Sequence, residues 1–153
     1  VNHAFVKTIS LTYKKMPFLR IAPICNGKIY VAPRSYQGEE PGKLDIPMED
    51  YIYACKTDTD KYAKEVENKY SNHITGQPEP RFSLKHLVKE TNGVKKIIML
   101  YILPLNDEEQ IHFTGGKFVT PEEIEMNSAQ YSSFLKEEID HLNIVTQMWE
   151  EFK

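Results

Sequence analysis

The stretch KYAKEVENKYSN, residues 61–72, brings carboxylates and ammonium groups together at helical spacing. A magnesium or manganese ion takes several hard oxygens, and a helix supplies them when carboxylates stand at i, i+3 and i+4 on one face. Glu65 begins such a row, but Asn68 and Lys69 occupy the positions three and four residues on. Glu67 is two residues from Glu65, so the helix turns it elsewhere. One carboxylate is a poor site for a hard divalent cation, and the ammonium of Lys69 opposes one. In this order at i,i+4, Glu65 and Lys69 predict an ordinary surface pair contributing ~0.2–0.5 kcal/mol. Two more carboxylates, Glu49 and Asp50, lie just upstream. A further one, Glu138, falls inside the apolar stripe of the last helix, between Phe134–Leu135 and Leu142, whereas Glu137 faces away. A glutamate in that position either joins a site or is paired with Lys or Arg at the buried edge.

Other chemistries find little support. The histidines His3, His73, His86, His112 and His141 show no HxxxH or Cys/His spacing, which argues against zinc. FTGGKF has a glycine pair without the phosphate-loop spacing, and Phe118 after Lys117 cannot supply a magnesium ligand. There is no GxSxG elbow. Cys25 and Cys55 read as small buried hydrophobes in a reducing compartment, not as a disulfide framework.

The elements that must position these residues follow from pattern. The chain has 153 residues, 27% charged and 41% hydrophobic, which predicts one soluble globular domain over 1–153. A net charge of −3 argues against nucleic acid and anionic membranes as partners. The longest apolar run, IIMLYILPL at 97–105, falls well short of the ~20 residues of a spanning helix. No export signal is evident, so a cytoplasmic location is expected. The chain begins at Val1, which fits a piece cut from a longer protein.

Two β-rich runs, 18–25 and 28–34, flank Asn26-Gly27 and predict a hairpin. Asn92-Gly93 repeats the device between strands near 81–89 and 94–104. Residues 4–13 predict another strand, and 110–119 a strand interrupted by the glycine pair. A first helix starts at Asp58 or Thr59 and stripes Tyr62, Ala63, Val66 and Tyr70. TPEEIEMN predicts a capping box, with Thr120 at the cap, Pro121 at the first helical position and Glu123 reaching back. Residues 128–152 predict the longest helix. Strands, helix, strands, short helix and long helix in that order give an α+β fold, an α/β/α sandwich on a mixed sheet.

This order, with particular residues at particular places, resembles the Nudix family over roughly residues 18–149. The hairpin ends in KIYVAPRS with Arg34, where the family has an arginine and a loop. GKLDIPMEDYI supplies Leu44, Ile46 and Pro47 ahead of the helix, and GGKFVTPEEIE the segment before the final helix. The family signature is GX5EX7REUXEEXGU, with U aliphatic. Its glutamates hold Mg²⁺ or Mn²⁺, which binds a diphosphate and activates water. KEVENKYSN aligns with REUXEEXGU if one extra residue is allowed upstream. Lys64 then falls on the arginine, Glu65 matches the first glutamate and Val66 the aliphatic residue. Asn68 and Lys69 fall on the two metal-binding glutamates, Ser71 on the glycine and Asn72 on the aliphatic residue. PMED stands where the family has PGG, and the upstream glutamate falls near Cys55.

The resemblance thus implies a Nudix-like domain with a degenerate box, acting in binding or regulation with no cofactor expected. The implied ligand is a nucleotide or phosphorylated metabolite. Arg34, Lys43, Lys64, Lys69 and Arg81 are its candidate phosphate contacts, and Tyr51 and Tyr53 are candidates to stack on a base or sugar. The alternatives are an active hydrolase of nucleoside diphosphate derivatives, using Glu65 and Glu138 with Mg²⁺ or Mn²⁺, and an accessory domain of a larger transporter, enzyme or transcription factor. An exposed remainder of the last helix's stripe, around Met148, Trp149 and Phe152, would give a homodimer seam.

Overall fold

Asn26 and Gly27 both take positive φ, 53° and 73°, as a tight hairpin turn of the type I′ class requires. They fold β1 (Phe18–Cys25) back onto β2 (Lys28–Pro33), pairing Ile24 with Ile29 and Cys25 with Lys28. The computed structural model describes residues 18–51, 59–89 and 95–153. The strand expected at 4–13, the cap at Asp58, the Asn92-Gly93 turn, Tyr53 and Cys55 lie outside the described residues.

Only the far end of β1 pairs with β2. Its first half pairs antiparallel with β4 (Met48–Tyr51), setting Phe18 opposite Tyr51 and Arg20 opposite Glu49. Along its other edge β1 runs parallel to β6 (Lys95–Pro104), which pairs antiparallel with β5 (Arg81–Lys89) as the hairpin reading expected. β2 also carries β3 (Leu44–Asp45) and β7 (Lys117–Val119). The result is a seven-stranded mixed sheet.

β1 is buried at all eight positions, which is why FLRIAPIC reads as a nearly continuous apolar run and not as an alternation. Period two sends Leu19 and Ile21 to one face, where α1 (Thr59–Lys69) contributes Ala63 and Val66. Ala22 and Ile24 go to the other face, packing with Ile124 of α2 (Pro121–Met126) and with Leu135, Ile139 and Leu142 of α3 (Ser133–Glu151). The sheet is therefore filled between helices on both sides, the sandwich expected from the element order. No helix among the described residues is long and apolar enough to cross a membrane.

Two expectations are corrected. The long helix starts at Ser133 and not at 128, because the Ser132 side chain accepts the Leu135 amide at 3.1 Å and caps it there. Residues Ser128–Gln130 form a separate 3₁₀ turn. The strand at 110–119 is reduced to Lys117–Val119 and an isolated bridge at Ile111. Gly115 turns the chain at φ 73°, and a Cβ on Gly116 would stand 2.0 Å from the Tyr30 hydroxyl. Thr120 caps α2 as expected, accepting from the Glu123 amide. A reciprocal capping box closes the turn Glu108–Gln110, between Asp107 and Gln110.

Candidate functional site

The same alternation that builds the core places Arg20 of β1 on the α3 face, where it is fully buried. An unpaired guanidinium there would be prohibitive, so carboxylates must come to it. Asp45 of β3 forks onto its two terminal nitrogens at 2.7 and 3.1 Å. Glu138 of α3 accepts from Nη2 at 2.8 Å and from Nε at 3.0 and 3.1 Å. Glu49, directly opposite on β4, accepts from Nη1 at 2.7 Å. Arg34, just past the end of β2, donates to Asp45 and lies 3.2 Å from Glu49, and its Nε donates to the Glu39 carbonyl at 2.7 Å. His86 of β5 stands 3.0 Å from Glu138. Beneath both guanidiniums lies the ring of Phe134, 5.3 Å from Arg20 and 5.5 Å from Arg34.

Three carboxylates meet two guanidiniums, and the His86 ring stands at the Glu138 end of the cluster. Burial pushes the Asp45 carboxyl up, but Arg20 and Arg34 outweigh it and hold the group below its ordinary value. Burial wins at Glu49, whose carboxyl is raised even though Arg20 and Arg34 pull it down, with Asp45 adding to the rise. For Arg20, burial favours loss of the proton, and Asp45 and Glu138 more than reverse it. His141, held by burial and by His86 below the usual histidine value against the pull of Glu138, lies 2.6 Å from the Ser83 hydroxyl.

Above this hub the chain leaves a cleft of about 520 Å³ lined by Arg34, Asp45, Glu49, Tyr70, His73 and Phe113. His73 and Phe113 stack face to face, 4.0 Å apart and 5° from parallel. Tyr70 donates to the Glu49 carbonyl at 3.2 Å.

The predicted residues do not all gather here. Arg34 and Glu138 are in the hub. Tyr51 ends β4, its ring 4.9 Å from Phe18. Lys69 reaches across from α1 to Asp50 on β4, where the expected partner was Glu65. Glu65 itself is exposed, as is Asn68. Lys43 donates to the Ala129 carbonyl. Lys64 and Arg81 lie elsewhere, together with Asp60 in a separate recess. Lys64 sits 2.8 Å from Glu67, off the hydrogen-bonding direction, so among the described residues that Glu67 oxygen has an ion pair but no hydrogen bond. Arg81 covers the Trp149 ring at 5.5 Å.

The donor set does not fit a magnesium or manganese site. The converging carboxylates are already engaged by arginines, and a divalent cation among them would sit beside two guanidiniums. Among the described residues no group of three or more acidic, histidine or cysteine side chains has metal-holding geometry. Arg20 and Asp45 carry no motif that singles them out in the sequence. The available signal is thermodynamic: an arginine inside FLRIAPIC must bury its charge against carboxylates that the chain brings from elsewhere.

No protein-family model matches this chain, and no curated protein matches it. Its fold does match solved structures. A NUDIX hydrolase from Nitrosomonas europaea superposes with a TM-score of 0.60 at 11% identity, over 86% of this chain and 90% of that one. The MutT protein of Methanosarcina mazei Go1 gives 0.59 at 12% identity, over 84% and 93%. A hydrolase of the NUDIX family from Clostridium perfringens gives 0.52 at 10% identity, over 85% and 97%. By these superpositions the chain has a Nudix-like fold.

Proposed function

We propose that this Nudix-like domain binds a nucleotide or another phosphorylated small molecule without hydrolysing it. The observation that carries the reading is the Arg20 hub: Asp45, Glu49 and Glu138 pair with guanidiniums, which favours a structural role for them over one as metal ligands. The resemblance points the same way: when KEVENKYSN is aligned with the family signature, Asn68 and Lys69 fall on the two metal-binding glutamates. The cleft supplies an arginine at one wall and a stacked His73–Phe113 pair at another, which suits a ligand with a phosphate and a planar ring. Fold alone does not assign a reaction, and the binding reading draws on these side chains.

The test is a panel of nucleoside diphosphate derivatives assayed with Mg²⁺ and with Mn²⁺, for the native chain and for Glu65→Gln and Glu138→Gln. The expected result is no turnover, with saturable calorimetric binding of at least one compound that Arg34→Gln weakens. Metal-dependent turnover abolished by either glutamine variant would overturn the proposal and establish an active hydrolase.

A further inference from the structure

In the cleft of about 520 Å³ one ring is held as a platform. Nδ1 of His73 meets the His112 carbonyl at 2.9 Å, and since a carbonyl only accepts, that nitrogen carries the proton. The two backbones are joined as well, the His112 amide donating to the His73 carbonyl at 2.9 Å. Phe113 backs the imidazole face to face at 4.0 Å. His73 nevertheless remains exposed and lines the cleft, which leaves its second face available to a planar ring. The charge at the arginine wall is already offset. Nε of Arg34 donates to the Glu39 carbonyl at 2.7 Å, and Nη1 is shared between Asp45 and Glu49. Of its nitrogens only Nη2 makes no hydrogen bond among the described residues. A ligand oxygen therefore meets one nitrogen and not a two-nitrogen fork. Asp45 and Glu49 line the same cleft, so one guanidinium stands there with two carboxylates. Counting the whole hub changes nothing, because Arg20 brings Glu138 with it. Burial raises the Glu49 carboxyl. Ionised, it makes the wall net negative; protonated, it leaves the wall near neutral. Neither state offers surplus positive charge.

We infer that the cleft selects a planar ring bearing a single negative charge, a phosphodiester of the cyclic-nucleotide type, over the same ring bearing a di- or triphosphate. This selectivity rests on the binding reading above and narrows its ligand class. A polyphosphate brings several negative charges to a wall with one free nitrogen. Each charge left unneutralised loses hydration on entry and is repelled by the carboxylates beside Arg34. A phosphodiester brings one charge, which Nη2 can meet alone. The hydroxyls of Ser35 and Thr114 line the same cleft and add neutral donors for its remaining oxygens. The other cations expected to contact phosphate do not compensate, since Lys43, Lys64, Lys69 and Arg81 are not among the lining residues. At about 520 Å³ the cleft lies within the ~300–1,000 Å³ usual for small-molecule sites, so charge and not space sets the preference.

The probes are cyclic AMP, AMP, ADP and ATP, titrated calorimetrically into the native chain in EDTA at about pH 8. That pH lies above the ordinary histidine value of ~6.5, and EDTA keeps metal off the phosphates. Guanosine and uridine series run in parallel, so that base preference is separated from charge. Each added negative charge is expected to raise Kd by about two- to tenfold, the cyclic phosphodiester binding tightest. Glu49→Gln is expected to narrow that spread, and His73→Ala to weaken every member of a series. If either variant does not fold, the native series decides alone. Di- and triphosphates binding as tightly as the cyclic compound, or more tightly, would overturn the selectivity and leave the binding reading standing. A folded Glu49→Gln protein with an unchanged spread likewise overturns it. Binding of no compound in any series overturns the selectivity and the binding reading together.

Discussion

Replacing Arg20 by methionine keeps side-chain length and apolar packing but removes the guanidinium that three carboxylates share. Two of them are almost wholly buried, Asp45 at 1% and Glu138 at 0% exposure. Removing one partner of a buried ion pair typically costs 3–5 kcal/mol, because the remaining charge is stranded in low dielectric. Asp45 retains Arg34 and Glu138 retains His86, so the loss should be about 3–5 kcal/mol and not a multiple of it. Set against a typical ~5–15 kcal/mol of total stability, that moves the urea midpoint far and leaves a folded baseline to measure. Trp149 is the sole tryptophan, and its fluorescence follows docking of α3. Two details make the test specific. Adding Glu138→Gln to Arg20→Met should recover part of the loss, since it removes one stranded charge. The deficit should also shrink on acidification, because Asp45, which Arg20 helps to hold low in the native chain, loses that pull in the variant and protonates more readily. A loss below about 1 kcal/mol at pH 7, with no coupling to Glu138, would refute the view that this cluster is a structural hub.

Other outcomes follow from the same geometry. Asp45 has a lowered folded-state value, so its contribution is complete above the ordinary carboxyl value of ~3.9 and is lost as pH falls through the folded one; acid unfolding of Asp45→Asn should lack that component. His141 is lowered too, so the unfolded chain takes up its proton first. Stability should therefore fall on acidification below ~6.5, and urea titrations of His141→Gln should show a flatter profile there. Gly116→Ala should lose ~1–3 kcal/mol in thermal unfolding, because the new methyl meets the Tyr30 ring. Lys69→Ala should change stability by less than ~1 kcal/mol, its pair with Asp50 being exposed.

The sandwich was legible because local signals agreed with tertiary ones. Asn26-Gly27 set a hairpin whose register then fixed which face each residue of β1 took. Helix boundaries were less legible where two devices compete: 128–132 has helical periodicity, yet the Ser132 cap starts α3 later. The hub was only half legible. Glu138 stood out as the polar member of an apolar stripe, but its partner lies 118 residues away in sequence, and no spacing rule links a strand arginine to a helix glutamate. The expected cation cluster dispersed for a related reason. Lys64 and Arg81 sit on elements whose positions only the sheet order determines, and that order carries them to a different recess from Arg34.

One contact ties the loop that presents Arg34 to the helix that holds the hub. The Glu40 carboxylate accepts from the Ser133 amide at 3.1 and 3.2 Å and from its hydroxyl at 2.9 Å, placing a negative charge at the start of α3. The loop is closed by the Arg34 amide donating to the Lys43 carbonyl at 2.8 Å and by the Lys43 ammonium on Ala129. Within the first two turns of α3, Phe134 lies against both guanidiniums and Glu138 pairs with Arg20. Glu40→Ala should therefore loosen Arg34 while removing no side chain that lines the 520 Å³ cleft. Its stability cost is expected to be ~0.5–2 kcal/mol, that of a helix-terminal contact. Hydrogen exchange should rise across 34–43 and at the first turn of α3, while β1 and β6 remain protected. Exchange confined to the loop, with α3 unchanged, would show that loop and helix are not coupled through Glu40.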